Sequence, residues 1–545
     1  MNKKIKTVFL LLMTITVTSG IKAQSLEEGK KLFFYQRYAS AKNELSQVLK
    51  SDASNIDAIY WLGQTEIALG DTTGAKALYQ KASLANAGNP LLLVAMGHIE
   101  LLTGQSQDAR QAFETAISLS KGKSIPVLNA IGFANIKAPA GDANYAIDKL
   151  KQATAIKGLK DADVYINLGD AYMKIQDGGD AQTAYQSAAD MDTKSPIPSF
   201  KLGKLYETQG HSQEEIFVSD YDDAIGKDPT FAPVYYDLYA YYYLWDIDKS
   251  RDYLDKYIAN ADPDPADCYY YASILFASKL FQQSIDKSNQ CIADGGTTPY
   301  PNLFGLKAYC YFALGDSVNA KASFEQYFAK QLPSKIGPTD YSTYAKILLG
   351  IPGNDSLASV YIDKAIALDS LPDDKINEAK TLITYYTAKG DMNGVANGYK
   401  KIIAVRTPPF NGDYQSAGFY YYKALNFPAA AAIFDSAVQY FPNDLYDNYM
   451  LGKSLSYVDS TMKDGLAKPA FDKVIQVGAA DSVTNKAQLI GAYQYMVEYY
   501  VNIKKDKDTA LMYCDKILAL DPTNAETIKN REIISKLKFK SSGSK

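Results

Sequence analysis

Small, bulky and polar positions recur along this chain at a fixed spacing. Gly29, Gly63 and Gly97 stand 34 residues apart, and twelve residues after each comes an alanine: Ala41, Ala75 and Ala109. Four residues further on sits a bulky side chain (Leu45, Tyr79, Phe113), and three later a small or branched one (Val48, Ala82, Ala116). Offsets of three and four put apolar side chains on one face of an α-helix, with the charged residues between them on the other. The junctions show where these helices stop. Gly70-Asp71, Gly315-Asp316 and Gly390-Asp391 each offer a left-handed turn residue followed by an N-cap. Proline after Asp228 and after Asp521 blocks continuation of the preceding helix.

The pattern persists with short insertions. Leu168-Gly169 leads to Tyr172, Ala181, Tyr185 and Ala188, and Leu202-Gly203 to Tyr206, Gly210, Tyr221, Ala224 and Pro229. Further units run through Ala308, Tyr311, Gly315, Ala320 and Phe324; through Gly418, Tyr421, Ala430, Phe434, Ala437 and Pro442; and through Leu451-Gly452, Ala467, Phe471 and Val474. The last unit ends in Ala510, Ile517 and Pro522. This spacing resembles the tetratricopeptide repeat and covers nearly all of the chain after its first residues. The resemblance implies an all-α, right-handed superhelical solenoid of about 13 to 14 helix-turn-helix repeats over residues 24–524, followed by a capping helix and tail over 525–545. Each repeat is then an antiparallel helix pair, with small residues where the two axes cross most closely. Two stretches depart from the pattern. Residues 232–272 carry Tyr239 where glycine is expected, amid many tyrosines, and residues 337–370 hold an extra turn, Gly350-Ile351-Pro352-Gly353-Asn354, where the solenoid could break.

Residues 1–23 read as a cleaved export signal: Lys3, Lys4 and Lys6, an apolar stretch from Val8 to Val17, and a cleavage site at Ile21-Lys22-Ala23. The stretch is too short for a bilayer span, which needs about 20 residues. No cysteine stands at the cut to accept a lipid. The expectation is a periplasmic or secreted protein with no direct membrane insertion after cleavage. Removing the signal takes four lysines and no acid, moving the formal charge from −4 to −8. That balance argues against nucleic acid and anionic lipid as partners, and points to proteins, peptides or glycans. The four cysteines are too scattered for a disulfide framework or a metal knuckle. One bridge among Cys268, Cys291 and Cys310 is conceivable, against the plainer reading that they are packed apolar residues.

Catalysis finds little support. The only two histidines, His98 and His211, fall in distant units, and no His-Glu-x-x-His pattern occurs. Gly122-Lys123-Ser124 lacks the leading glycine of a phosphate loop, and Asp262-Pro263-Asp264 lacks the spaced oxygen ligands of a calcium loop. The chain is expected to be no enzyme and to need no cofactor or metal. The family resemblance implies that the first helices line a concave groove through positions 2, 5, 9, 12 and 13 of each repeat. Carried onto this sequence, the groove includes Tyr60, Gln64, His98, Asn129, Asp170, Lys174, Lys204, Tyr236, Tyr243, Tyr269, Tyr309, Tyr422 and Lys423. Most of the 44 tyrosines are read as packing residues. The family's carboxylate clamp, Lys at position 5 with Asn at position 9, is missing where position 5 reads Tyr60, Val94, Asn129 and Ile166. The expected function is a scaffold of the bacterial envelope that holds a partner protein or an extended peptide. The alternative is glycan binding in the style of outer-membrane starch-binding proteins, which use aromatic platforms, although only Trp61 and Trp245 supply tryptophan here.

Overall fold

The computed structural model describes residues 25–538. The expected export signal, residues 1–23, and the tail Ser541 to Lys545 lie outside them. Every regular element among the described residues is helical. The chain divides into two compact units, Met1–Leu280 and Phe281–Lys545. Unit 1 contains α1 (Leu26–Phe34) with α2 (Tyr38–Ser51), α3 (Ile56–Ala68) with α4 (Thr72–Ala85), α5 (Pro90–Leu102) with α6 (Ser106–Leu119), and α7 (Ile125–Lys137) with α8 (Ala143–Thr154). It continues through α9 (Asp163–Lys174) with α10 (Gly178–Met191), α11 (Ile197–Glu207) with α12 (Glu214–Lys227), α13 (Ala232–Tyr242) with α14 (Ile247–Asn260), and ends on α15 (Pro265–Ala277).

Unit 2 opens on α16 (Phe281–Asp294), followed by α17 (Asn302–Ala313) with α18 (Ser317–Lys330), α19 (Pro338–Leu349) with α20 (Asp355–Leu368), and α21 (Pro372–Lys389) with α22 (Met392–Val405). Then come α23 (Asn411–Lys423) with α24 (Phe427–Tyr440), α25 (Leu445–Val458) with α26 (Lys468–Gly478), α27 (Lys486–Tyr499) with α28 (Lys507–Leu520), and α29 (Ala525–Lys536). Residues 337–370 form the pair α19–α20 within unit 2, and the division of the chain falls earlier, after Leu280. Helix α29 buries only Thr527 and Ile534 and leaves the rest of its surface to solvent, as the end of a stack requires.

In several pairs, close approach of the two helices depends on the missing side chain of the first-helix glycine. A Cβ at Gly97 would lie 2.5 Å from the Phe113 ring, and one at Gly418 would lie 2.6 Å from Phe434. The same pairing joins Gly63 to Tyr79 and Gly169 to Tyr185. Each such ring is fully buried in the space the glycine leaves, a contribution of about 1.5–3 kcal/mol for a large apolar side chain. Among the pairs without that glycine, two show other solutions. Where α13 carries Tyr239, α14 answers with Ser250, whose hydroxyl donates to the Tyr239 carbonyl at 2.8 Å, and with Leu254 in place of a ring. In α21–α22 the small residues move to the second helix, Gly394 and Gly398, facing Tyr386 and Ile383 of the first.

The expected helix boundaries are present. Gly70 has φ +84° and Asp71 caps α4 by accepting from the Gly74 amide at 2.8 Å. Gly390 and Asp391 repeat the device before α22. First helices of neighbouring pairs touch one another, α3 with α5, α5 with α7 and α7 with α9 in unit 1, and α17 with α19 and α23 with α25 in unit 2. Second helices are joined mainly through first helices, which places the first helices on the inner side of each unit's curve.

Candidate functional site

The inner side of unit 1 is closed by its own first helix pair. The turn between α1 and α2 reaches the ends of α12 and α14. Tyr35 donates its phenol to Asp228 Oδ2 at 2.7 Å, and Lys31 pairs with the same oxygen at 3.0 Å. Asp262 accepts from the Ser40 amide at 2.9 Å and faces Arg37 at 3.4 Å. Aromatic rings fill the space behind these contacts: Tyr35 meets Phe231 at 4.9 Å between centroids, and Phe231 meets Phe200 at 5.2 Å. Burial pushes the Asp228 carboxyl up, but hydrogen bonds from Thr230 and Tyr35, with the Lys31 charge, outweigh it and hold the group well below the usual carboxylate range. The Tyr35 phenol is raised by burial and by that carboxylate.

Three cavities follow one another inside this closed turn. The first, about 220 Å³, is bordered by Glu27, Lys30, Asp57 and Asp163. Burial, with Asp161 nearby, pushes the Asp163 carboxyl up to about 7. The second, about 230 Å³, shares Phe34, Phe133 and Asn167 with the first as a partition. The third, about 520 Å³, shares Gln36, Tyr38, Phe200 and Lys201 with the second, and opens toward Lys204, Asp237 and Asp262.

The central cavity joins apolar walls to a small polar set. Asp170 accepts from Tyr185 Oη at 2.8 Å and is gripped by Lys201 at 2.8 and 2.9 Å, with Lys137 at 4.0 Å from its Oδ2. Burial raises the Asp170 carboxyl and the two lysines more than offset that, leaving it lowered. Lys137 itself is lowered, by burial foremost. His98 belongs to a relay across two repeats. Tyr79 donates its hydroxyl to the Tyr60 carbonyl at 2.8 Å, so it must accept from Gln64 Nε2 at 3.2 Å. That turns Gln64 Oε1 toward His98 Nδ1, 2.9 Å away, and puts the imidazole proton on Nδ1. Burial, with Lys137 adding to it, pushes the ring down to about 4, so it is neutral at pH 7. His98 Nε2 then carries a bare lone pair and has no hydrogen-bond partner among the described residues.

The sequence-derived groove residues fall into two sets. Gln64, His98 and Asp170 border the central cavity, Tyr60 and Asn129 the first, and Lys204 and Tyr236 the third. Asn129 accepts from Asn167 at 2.8 Å. Lys174 is spent on the end of α7, donating to the carbonyls of Asn135, Ile136 and Ala138. Lys204 pairs with Asp237 at 2.9 Å. The rings of Tyr236, Tyr243 and Tyr269 belong to an aromatic cluster of α13–α15, where Tyr243 donates to the Ser273 carbonyl at 3.1 Å. The remaining three lie in unit 2: Tyr309 donates to Asp340 at 2.7 Å, Tyr422 leans on Phe427 and Tyr457, and Lys423 lies over Phe419. Around the last two, Phe419 and Tyr457 are exposed on first helices.

The position rule that yielded His98 and Asp170 also reaches Phe33 and Phe34 at positions 12 and 13 of their repeat, and Phe133 and Lys137 at positions 9 and 13 of theirs. These side chains shape the cavities and were legible by that rule, as was Phe200 at position 5 of its repeat; Lys201 and Asn167 were not, since both fall at position 6. The acids Asp262 and Asp264 have structural work, the first in the closure and the second as N-cap of α15. Cys310 and Cys514 are buried free thiols, whereas Cys268 and Cys291 are disulfide-bonded, so the reading as packed thiols holds for the first two only. Among the described residues no group of three or more His, Cys, Asp or Glu could hold a metal ion, and no helix is long and apolar enough to cross a membrane.

A tetratricopeptide repeat model matches residues 35–93. Among solved structures, the C-terminal part of a TPR repeat-containing protein from Cytophaga hutchinsonii is 28% identical, covering 48% of this chain and 98% of that one, with a TM-score of 0.27. A tetratricopeptide repeat protein from Parabacteroides merdae is 19% identical over 47% of this chain and 97% of its own, with a TM-score of 0.38. Yeast Tom70 is 14% identical over 73% and 95%, with a TM-score of 0.34. No curated protein sequence matches the chain.

Proposed function

We propose that this chain, whose residues 35–93 match a tetratricopeptide repeat model, is a non-catalytic scaffold of the bacterial envelope, holding a partner protein or an extended peptide against the inner face of unit 2. Repeats of this type generally bind protein partners. The observation that carries the reading is the exposure of large apolar side chains on the first helices of unit 2: Phe312 on α17, Phe419 on α23 and Tyr457 on α25. Aromatic side chains that stand in water while their neighbours are packed are the usual anchors of an interface. Lys423 and Lys453 lie over the rings of Phe419 and Tyr422 and leave cations at the rim, suited to an acidic or carboxylate-bearing segment. The envelope location rests on the signal read in residues 1–23, and the disulfide-bonded Cys268 and Cys291 suit an oxidising compartment. Glycan binding ranks second: the one exposed tryptophan, Trp245, stacks on His211 at 4.7 Å and so offers a single free face.

The test is photocrosslinking in the cells that make the protein, with the reactive residue placed at Phe419 or Tyr457, and at exposed Val318 on the second helix α18 as the reference. A discrete protein adduct from the first two positions and none from Val318 supports the reading. Equal labelling at all three, or none at the first two, removes it.

A further inference from the structure

The central cavity of unit 1 has a character that a mere packing defect lacks. A void left by imperfect packing is apolar and stays dry. This one has walls from Phe33, Phe133, Phe200 and Ile166, yet two polar groups border it with capacity to spare. His98, 2% exposed, keeps an unpartnered Nε2 lone pair, held in that state by the Tyr60–Tyr79–Gln64 relay. Lys137 makes no hydrogen bond among the described residues and comes no closer than 4.0 Å to Asp170, which Lys201 and Tyr185 already occupy. Two cations facing one carboxylate leave the cavity one positive charge in excess. A buried acceptor without a donor is unfavourable, and Lys137, whose side chain is 48% exposed, brings its charge to the rim of the same cavity. The fold keeps the His98 lone pair bare and braces the ring through Gln64, Tyr79 and the Tyr60 carbonyl.

We propose that this cavity is a binding site for a small hydroxycarboxylate with an aromatic or branched apolar body. The carboxylate pairs with the Lys137 ammonium, the neighbouring hydroxyl donates to His98 Nε2, and the body packs among Phe33, Phe133 and Phe200. The single excess charge selects a monoanion over a zwitterion, because an ammonium on the ligand would face Lys137 and Lys201 together. Access runs from the larger third cavity past Gln36 and Tyr38. This site is separate from the protein-binding face proposed in unit 2 and stands whether or not that reading survives.

Trp61 packs at 5.2 Å from Phe33 and 5.3 Å from Phe34, so it reports on this wall. In full-length Trp245→Phe protein it is the sole tryptophan. Titration with 3-phenyllactate should give a saturable change in Trp61 emission. 3-Phenylpropionate, without the hydroxyl, should bind about tenfold more weakly, as loss of one hydrogen bond to a buried group predicts. Phenylalanine, a zwitterion, and 2-phenylethanol, uncharged, should give no saturation at the same concentrations. Lys137→Met should abolish the response to phenyllactate and Lys137→Arg should retain it, with circular dichroism checking that each variant folds. No saturable change with phenyllactate overturns the proposal. So does equal affinity for phenylpropionate, or undiminished binding by a folded Lys137→Met protein.

Discussion

Equivalent repeat positions meet opposite fates in the two units. In unit 1 the inner residues His98, Phe133 and Phe33 are 2%, 5% and 8% exposed, whereas in unit 2 Phe312, Phe419 and Tyr457 are 38%, 38% and 53% exposed. The helix pairs are built alike, glycine against ring in α5–α6 and in α23–α24. What differs is that unit 1 turns far enough for its first pair to meet the sixth and seventh, joined through Asp228 and Asp262. A repeat position therefore carries no fixed role. The same inner site is core where the stack closes on itself and surface where it does not.

The sharpest way to break this comparison is to empty the closure. Phe231→Ala removes a ring that is 1% exposed and touches both Tyr35 and Phe200, so unit 1 should lose about 3–5 kcal/mol. Both tryptophans lie in unit 1, so the urea midpoint followed by tryptophan emission reads that loss directly. An unchanged midpoint would show that the closure contributes nothing.

A smaller effect is expected at the polar part of the seam. Asp228→Asn leaves Lys31 unpaired and weakens the Tyr35 contact, at a cost of about 1–3 kcal/mol. The pH dependence sharpens the point. The folded Asp228 carboxyl sits below its unfolded value of about 3.9, so its contribution is complete above that pH and is lost as pH falls through the folded value. The difference in stability between native protein and Asp228→Asn should hold from pH 7 to about 5 and shrink below about 4. A difference that grows on acidification would reverse the assignment.

The smallest change in stability belongs to unit 2. Phe419→Ala and Tyr457→Ala should each alter it by no more than about 0.5 kcal/mol, as for surface substitutions, while reducing capture of the partner. Tyr457 stacks on Phe427 at 4.1 Å, so it is the stricter case. Thermal melts that fall with either substitution would mark these rings as core and erase the contrast between the units.

Much of this architecture is written locally and so was legible. Gly97 and Phe113 lie in one helix pair, and the crossing needs one small and one large residue at that offset. Gly390-Asp391 fixes a turn and a cap with adjacent residues. Even Tyr239 announced itself as an exception, although Ser250 and Leu254 were needed to show how the crossing absorbs it. The closure was not legible. Tyr35 and Asp228 are 193 positions apart, and their meeting sums small rotations over six intervening turns, none of which is encoded at either residue. The cavity residues share that limit. Position 9 or 13 names His98 and Lys137 as inner, but only the accumulated curvature decides that they face each other across a space rather than water.

That long reach has a consequence for how the protein is made. The Phe33-Phe34-Tyr35 run emerges from the ribosome well before its mates, and at about 5–20 residues per second the wait for Asp228 and Phe231 is roughly 10–40 s. Throughout that interval three adjacent aromatic side chains lack their final shelter, long enough for a chaperone to engage the nascent chain before the ring can shut.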